Sequence, residues 1–387
     1  MTVRVNFDEA PPPGHINFGI GQPSADLLPV EVMRAAAEDF LRQAHPLELN
    51  YGIKQGDQRF RESLAEFLSR QYLAPARAQS LFLTSGNSQA LDFVCAQFTQ
   101  PGDTVFVEEP SYFLAFQIFR DHGLNIVSVT MDENGLDVGQ LETELERVKP
   151  ALVYTIPTFQ NPGGQTLSAA RRARLVELSQ EHGFLIVADE VYQLLFYYEP
   201  PPPAFGSLVE AQGDKGTILS LGSFSKILAP ALRLGWIQTA PNLARRLLES
   251  AFLSSSGSLN HFTSHVVRHA IELGLQDSHL SDLRAAYRGR VEAMDRALRE
   301  RLSGLAQWRM PQGGYFFWLE MDESVDTRPL RQKAIAAKTG FQPGTVFSNR
   351  GDFAHCLRLS FAHYGEADIA EGIGRLAHVL RSDVPGA

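Results

Sequence analysis

Between about residues 80 and 240 the chain alternates short, unbroken apolar runs with amphipathic stretches of helical spacing. A strand that is apolar without alternation must be covered on both faces, and helical crossovers on both sides of a parallel sheet provide that cover. The runs 81–83, 104–107, 151–156, 184–187, 217–221 and 234–239 therefore read as strands of one mostly parallel sheet.

The texture changes further along. A long helical pattern rich in Arg and Glu spans 280–302, and strand-like segments at 314–319 and 357–361 alternate with helical ones at 328–338 and from 362 to the end. This is the pattern of a second, smaller α+β domain. The first forty or so residues, with a helix at 30–42, lack a core of their own and are expected to pack on that domain. The expected division is 46–282 for the large domain, with 1–45 and 283–387 forming the small one. The proline clusters at 11–13 and 200–203 read as loops.

Composition narrows the function. In 387 residues, 44% are hydrophobic and 20% charged, the usual mix of a compact globular protein. The formal charge is −9 with no basic run, which argues against a nucleic-acid partner. No stretch of eighteen apolar residues and no basic segment followed by an apolar leader is present, so the expectation is a cytoplasmic protein without a membrane partner. Cys95 and Cys356 have neither metal-ligand nor redox spacing and read as reduced packing residues.

In an open parallel sheet, ligands bind beyond the carboxyl ends of the strands. The run 81–83 leads into Thr84, Ser85, Gly86, Asn87, Ser88 and Gln89 and then a helix, an arrangement whose free N–H groups suit a phosphate, although Ser and Asn also cap helices without any ligand. The run 104–107 leads to Glu108, Glu109, Pro110, Ser111 and Tyr112, an aromatic that can either stack on a planar ligand or join the core. After 151–156 comes Phe159–Gln160–Asn161–Pro162–Gly163–Gly164, where the Asn amide either faces the same cleft or makes an ordinary turn. The run 184–187 stops at Asp189, a carboxylate that can pair with a positive ring nitrogen or cap the next helix.

The fifth signal is Lys226. Of six lysines it alone is flanked by apolar residues and small hydroxyls, with no acidic residue within six positions. Desolvation there raises the fraction of free amine, as a carbonyl-condensing nucleophile requires. One ligand uses every one of these groups: pyridoxal phosphate offers an aldehyde to an amine, a pyridine nitrogen to a carboxylate, a flat face to an aromatic, and a phosphate to backbone amides and a cation. The single glycine of the 84–89 turn does not match the pattern of a nicotinamide cofactor.

The segment SFSKILAPALRLGW (223–236) resembles the lysine motif of the class I/II aminotransferases of pyridoxal-phosphate fold type I. ADEVY (188–192), FQNPGG (159–164), CLRLSFA (356–362), GQPSADLLP (21–29), NYG (50–52), GGYFFW (313–318) and QPGTVF (342–347) follow in the family's order over nearly the full length. The resemblance implies an α/β fold whose large domain holds a mostly parallel seven-stranded sheet flanked by helices. It also implies pyridoxal 5'-phosphate as cofactor. Lys226 is then the Schiff-base lysine and proton shuttle, Asp189 the partner of the pyridinium, and Tyr192 and Asn161 donors to the ring oxygen. Tyr112 stacks on the ring. Gly86, Asn87, Ser88, Ser223, Ser225 and Arg233 hold the phosphate, with Tyr51 reaching in from a second subunit of a homodimer. Gly21, Asn161 and Arg358 bind the substrate, with Arg358 on its α-carboxylate. The chain departs from many relatives in reading SGNSQ where they have SGSQQ and NPGG where they have NPTG.

The implied activity moves the α-amino group of an L-amino acid to a 2-oxo acid such as 2-oxoglutarate. Within the family the chain resembles the branch that handles aromatic, kynurenine-like, branched or 2-aminoadipate substrates. The alternatives are a β-lyase cleaving a cysteine-like substrate on the same scaffold and a non-catalytic sensor that binds the cofactor.

Overall fold

The computed structural model describes residues 12–383, so Pro11 lies outside the described residues. They open with a two-residue strand, β1 (Ile16–Asn17). The large sheet follows: β2 (Leu81–Thr84), β3 (Thr104–Glu109), β4 (Asn125–Asp132), β5 (Gly135–Leu136), β6 (Leu152–Thr155), β7 (Leu185–Asp189), β8 (Ile218–Ser223) and β9 (Gly235–Thr239). Their order is β2-β9-β8-β7-β6-β3-β4-β5. The pairs β4/β3, β3/β6, β6/β7 and β7/β8 are parallel, while β9 runs against both β8 and β2. The seven strands expected are thus present, and the short β5 folds back on β4 as an eighth at the edge.

Neighbouring residues of one strand serve opposite faces, which is why the runs are apolar throughout. Val105 and Val107 belong to a cluster with the helices Asn87–Phe98 and Phe113–Asp121. Phe106 between them joins the cluster of the helices Val138–Leu145, Ala169–His182 and Phe205–Gln212. The same split places Tyr154 on the first face and Val153 on the second. The strand β4 did not announce itself as an apolar run because it lies beside the sheet edge. Of its eight residues NIVSVTMD, only Val129 is buried.

The C-terminal part has an antiparallel sheet, made of β10 (Ala306–Trp308), β11 (Phe316–Met321), β13 (Gln342–Pro343) and β14 (Cys356–Ser360) in the order β10-β11-β14-β13. The helices Leu275–Leu302, Thr327–Ala336 and Glu366–Asp383 accompany it. The N-terminal segment divides its contacts. β1 pairs in parallel with β12 (Thr339–Gly340), whereas the helix Val30–Gln43 seats Ala36 and Phe40 against Val266 and Ala270 of the helix His261–Glu272. Cys95 and Cys356 are buried free thiols, both pushed up to about 12 by burial. Among the described residues no helix is long and apolar enough to cross a membrane.

Phe106 is fully buried in the middle of β3. Truncating such a side chain loses its transfer energy and leaves a cavity, so Phe106→Ala should destabilise the fold by about 3–5 kcal/mol. Urea titration checks this, and a loss below about 1 kcal/mol would contradict the packing described.

Candidate active site

Because β3, β6, β7 and β8 are parallel, their carboxyl ends open on one edge, and β2, antiparallel to β9, ends there too. That edge collects the polar residues singled out in the sequence. Lys226 follows β8 by three residues. Its Nζ donates to the Gly21 carbonyl oxygen at 3.0 Å and lies 5.1 Å from the centre of the Tyr315 ring. The side chain is half-buried, so a ligand can reach it, yet enclosure brings its pKa down to about 8. Desolvation is the main cause, and the Arg358 charge adds to it.

Asp189 is buried at the end of β7, and no helix begins after it: residues 191–194 form a turn. One carboxylate oxygen accepts from Asn87 Nδ2 at 2.7 Å and the other from the Tyr154 hydroxyl at 2.9 Å. Burial raises its pKa, while these two donors and the Lys226 charge oppose the rise. Asn87 thus spends its side chain on Asp189 and leaves its backbone N–H at the start of the helix Asn87–Phe98.

That helix has no side-chain cap, which keeps its first N–H groups free for an anion. Gly86 precedes it at φ 84°, and a Cβ there would lie 2.8 Å from Arg233 Nη2. Arg233 donates to the Ser85 carbonyl at 3.1 Å and to Ser225 Oγ at 3.4 Å, and Ser225 in turn is 3.0 Å from Ser223 Oγ. Ser88 is exposed at the rim.

Arg358, in β14, is only 4% exposed and has no carboxylate partner among the described residues. Its Nη1 donates to Asn161 Oδ1 at 2.9 Å and its Nη2 to the Gly19 carbonyl at 3.1 Å, while its Nε has no partner. The guanidinium lies over the rings of Phe316 and Phe347 at 4.0 and 4.8 Å. Burial lowers its pKa to about 10. Gly21 allows the close approach, since a Cβ there would lie 3.9 Å from Arg358 Nη2 and 3.2 Å from Phe316.

Tyr112 and Tyr192 line the same cleft; burial pushes the first up to about 12 and raises the second further. Tyr192 packs on Tyr315 and Phe316 with ring centres 5.4 and 5.9 Å apart. Tyr51 is not brought to this cleft: it is 83% exposed. Two site residues escaped sequence reasoning. Tyr154 sits inside the apolar run of β6, where a tyrosine reads as core, and only the fold brings its hydroxyl to Asp189. Asn260, at φ 49°, donates to Ser85 Oγ at 3.2 Å and to the Arg233 carbonyl, bracing the anion cup from a loop without a strand-end signal.

The residues fit pyridoxal phosphate. A buried carboxylate lacking an ion pair suits a cationic ring nitrogen, an uncapped helix start with a nearby guanidinium suits a phosphate, and a lysine of lowered pKa suits an aldehyde. No group of three His, Cys, Asp or Glu able to hold a metal ion occurs among the described residues. Fold and donor set together are those of a pyridoxal-phosphate enzyme of fold type I. The chain belongs to the aminotransferases of class I and II, whose family profile matches residues 13–376. It is 35% identical to aromatic-amino-acid aminotransferase 1 of Thermococcus litoralis, over 95% of this chain and 88% of that one. It is 32% identical to 2-aminoadipate transaminase of Thermus thermophilus, covering 98% and 94%. The solved kynurenine aminotransferase of Pyrococcus horikoshii superposes with a TM-score of 0.89 at 32% identity, covering 96% and 92%.

The free amine of Lys226 grows as pH rises through about 8. In the cofactor-free protein, acylation of Lys226 followed by peptide mapping should therefore show its half-maximal rate near that pH. A midpoint at the ordinary lysine value of about 10.4 would remove the case for a desolvated amine.

Proposed function

We propose that the protein is a pyridoxal-phosphate-dependent aminotransferase. It moves the α-amino group of an aromatic, 2-aminoadipate-like or branched L-amino acid to a 2-oxo acid such as 2-oxoglutarate. The observation that carries this reading is the gathering of Lys226 and Asp189 at one sheet edge with Arg358, which reaches that edge from β14 through Asn161, each buried or half-buried and none in an ion pair with a described residue. When bound, the cofactor supplies an aldehyde for the amino group and an electron-withdrawing ring.

The remaining work falls to the chain. Asp189, held from both sides by Asn87 and Tyr154, keeps a proton on the ring nitrogen. Tyr112 covers one face of the cleft, and Tyr192 and Asn161 serve the ring oxygen. The amides of Gly86, Asn87 and Ser88, with Ser223, Ser225 and Arg233, hold the phosphate. Arg358 takes the substrate α-carboxylate as a two-pronged partner beside Asn161, with Gly21 leaving room. Lys226 Nζ, once free, removes the α-proton and can return it. The aromatic lining from Tyr112, Tyr192, Tyr315, Phe316 and Phe347 favours a large apolar side chain.

The reading includes a homodimer. Leu47, Leu49, Tyr51 and Ile53 are 57–83% exposed, and the segment that bears them touches the loop before Phe262, itself 49% exposed, through Ser258 N to the Gly52 carbonyl at 3.1 Å. Such a patch suits a second copy, into whose phosphate site Tyr51 reaches. Sedimentation should give a dimer, and a fully active monomer would sink this part. The soluble state and its cytoplasmic location are part of the same proposal.

A panel of L-amino acids tests the activity. In the absence of oxo acid, a visible cofactor band should bleach with the right amino acid and return with 2-oxoglutarate, and Lys226→Ala should lower the rate at least ~100-fold. Accumulation of pyruvate and ammonia with an unchanged band would instead identify a β-lyase.

A further inference from the structure

Glu108, at the end of β3, is a carboxylate with 1% exposure and no cation within ion-pair distance among the described residues. No role in binding or proton transfer falls to it. Three donors point at it: the Thr155 hydroxyl on one oxygen, and on the other the Ile156 N–H at 3.0 Å and Gln160 Nε2 at 3.3 Å. Burial raises its pKa to about 7 against those donors.

Gln160 is itself fully buried, and its side chain is used up. Besides Glu108, its Nε2 donates to the Pro110 carbonyl at 2.8 Å, and its Oε1 accepts from the Gly163 N–H at 2.9 Å. Its backbone closes the same turn, donating to the Gln165 carbonyl at 2.9 Å and accepting from the Gly164 N–H at 2.7 Å. The next residue, Asn161, holds Arg358. Pro110 lies two positions before Tyr112, and Ser111 N donates to the carbonyl of Phe347, the ring under the Arg358 guanidinium, at 2.9 Å. One unbroken set of contacts thus joins the two loops that wall the cleft, with Glu108 and Gln160 at its centre.

We propose that Glu108 is a positioning residue: through Gln160 it fixes Asn161, and hence Arg358, in the geometry that receives the substrate carboxylate. The inference rests on the assignment of Arg358 to that carboxylate. A glutamine at position 108 can replace the carboxylate, because its amide oxygen serves Ile156 and Gln160 while its NH2 faces the Thr155 hydroxyl, which can reverse its own hydrogen. A leucine cannot. Misplacement of a binding group by about 1 Å costs up to ~100-fold.

The test uses the cofactor-loaded protein and the desamino analogue of its best amino acid, 3-phenylpropionate where that is phenylalanine, titrated by calorimetry. Glu108→Leu and Gln160→Met should keep the visible cofactor band but bind the carboxylate at least ~10-fold more weakly, raising KM for the amino acid more than they lower kcat. Glu108→Gln should bind within about threefold of the wild type, well under the ~1.4 kcal/mol of a tenfold change. Wild-type affinity in both disruptive variants, or a loss in Glu108→Gln equal to that in Glu108→Leu, would overturn the proposal. If Glu108→Leu does not fold, Gln160→Met decides, and failure of both to fold makes the pair a determinant of stability and ends the positioning role. Arg358→Ala is the separate control: if it retains the carboxylate, the assignment of Arg358 fails and not the linkage through Glu108.

Discussion

Everything at the sheet edge depends on charges buried without their counter-ions. Withdrawing an unpaired ion from water costs on the order of several kcal/mol, so a fold keeps such groups only where other contacts outweigh the cost. Here neutral groups hold the charges: Asn87 and Tyr154 on Asp189, Asn161 and the Gly19 carbonyl on Arg358, the Gly21 carbonyl on Lys226. These hydrogen bonds aim the charges without neutralising them. On the proposed function, a cationic ring nitrogen of the cofactor and the carboxylate of the substrate would complete two of the pairs, so their binding would also relieve the desolvation cost.

The parallel sheet makes this arrangement affordable in geometry. Strands buried on both faces are stiff supports, and their ends deliver Glu108, Asn161, Asp189 and Lys226 from four segments to one cleft. The polar braces then connect loop to loop. Glu108 and Gln160 join the exits of β3 and β6, Asn87 joins the exit of β2 to that of β7, and Glu109 ties β3 to Ser128 of β4 at 2.8 Å and to Ser348 of the C-terminal part. The walls of the cleft are therefore fastened to one another as well as to the core.

Much of this was legible in the residue order, for a physical reason. A strand buried on both faces shows as an unbroken apolar run, and the polar residues within a few positions of its end mark the exit, so Asp189, Asn161 and Lys226 stood out by position. Tyr154 did not, because its hydroxyl is the polar tip of a side chain otherwise packed against Phe119, with ring centres 5.5 Å apart. β4 was hidden by its place near the edge, where alternation with polar residues suffices. The partners of Asn87 and Glu108 lie 102 and 47 residues away, and no local pattern encodes which acceptor a side chain will find.

The segment holding Gly19 and Gly21 is anchored almost entirely by residues from the opposite end of the chain. Ile16 pairs with Thr339, Asn17 N donates to the Tyr364 hydroxyl at 2.8 Å, and the Phe18 carbonyl accepts from Ser360 N at 2.7 Å. A nascent chain emerges from the ribosome N-terminus first. The residues that steady Lys226 and Arg358 are thus made long before the residues that fix them in place. The large sheet can form while translation continues, but the cleft is complete only once the segment from Thr339 to Tyr364 has been released and has found the strand at Ile16–Asn17.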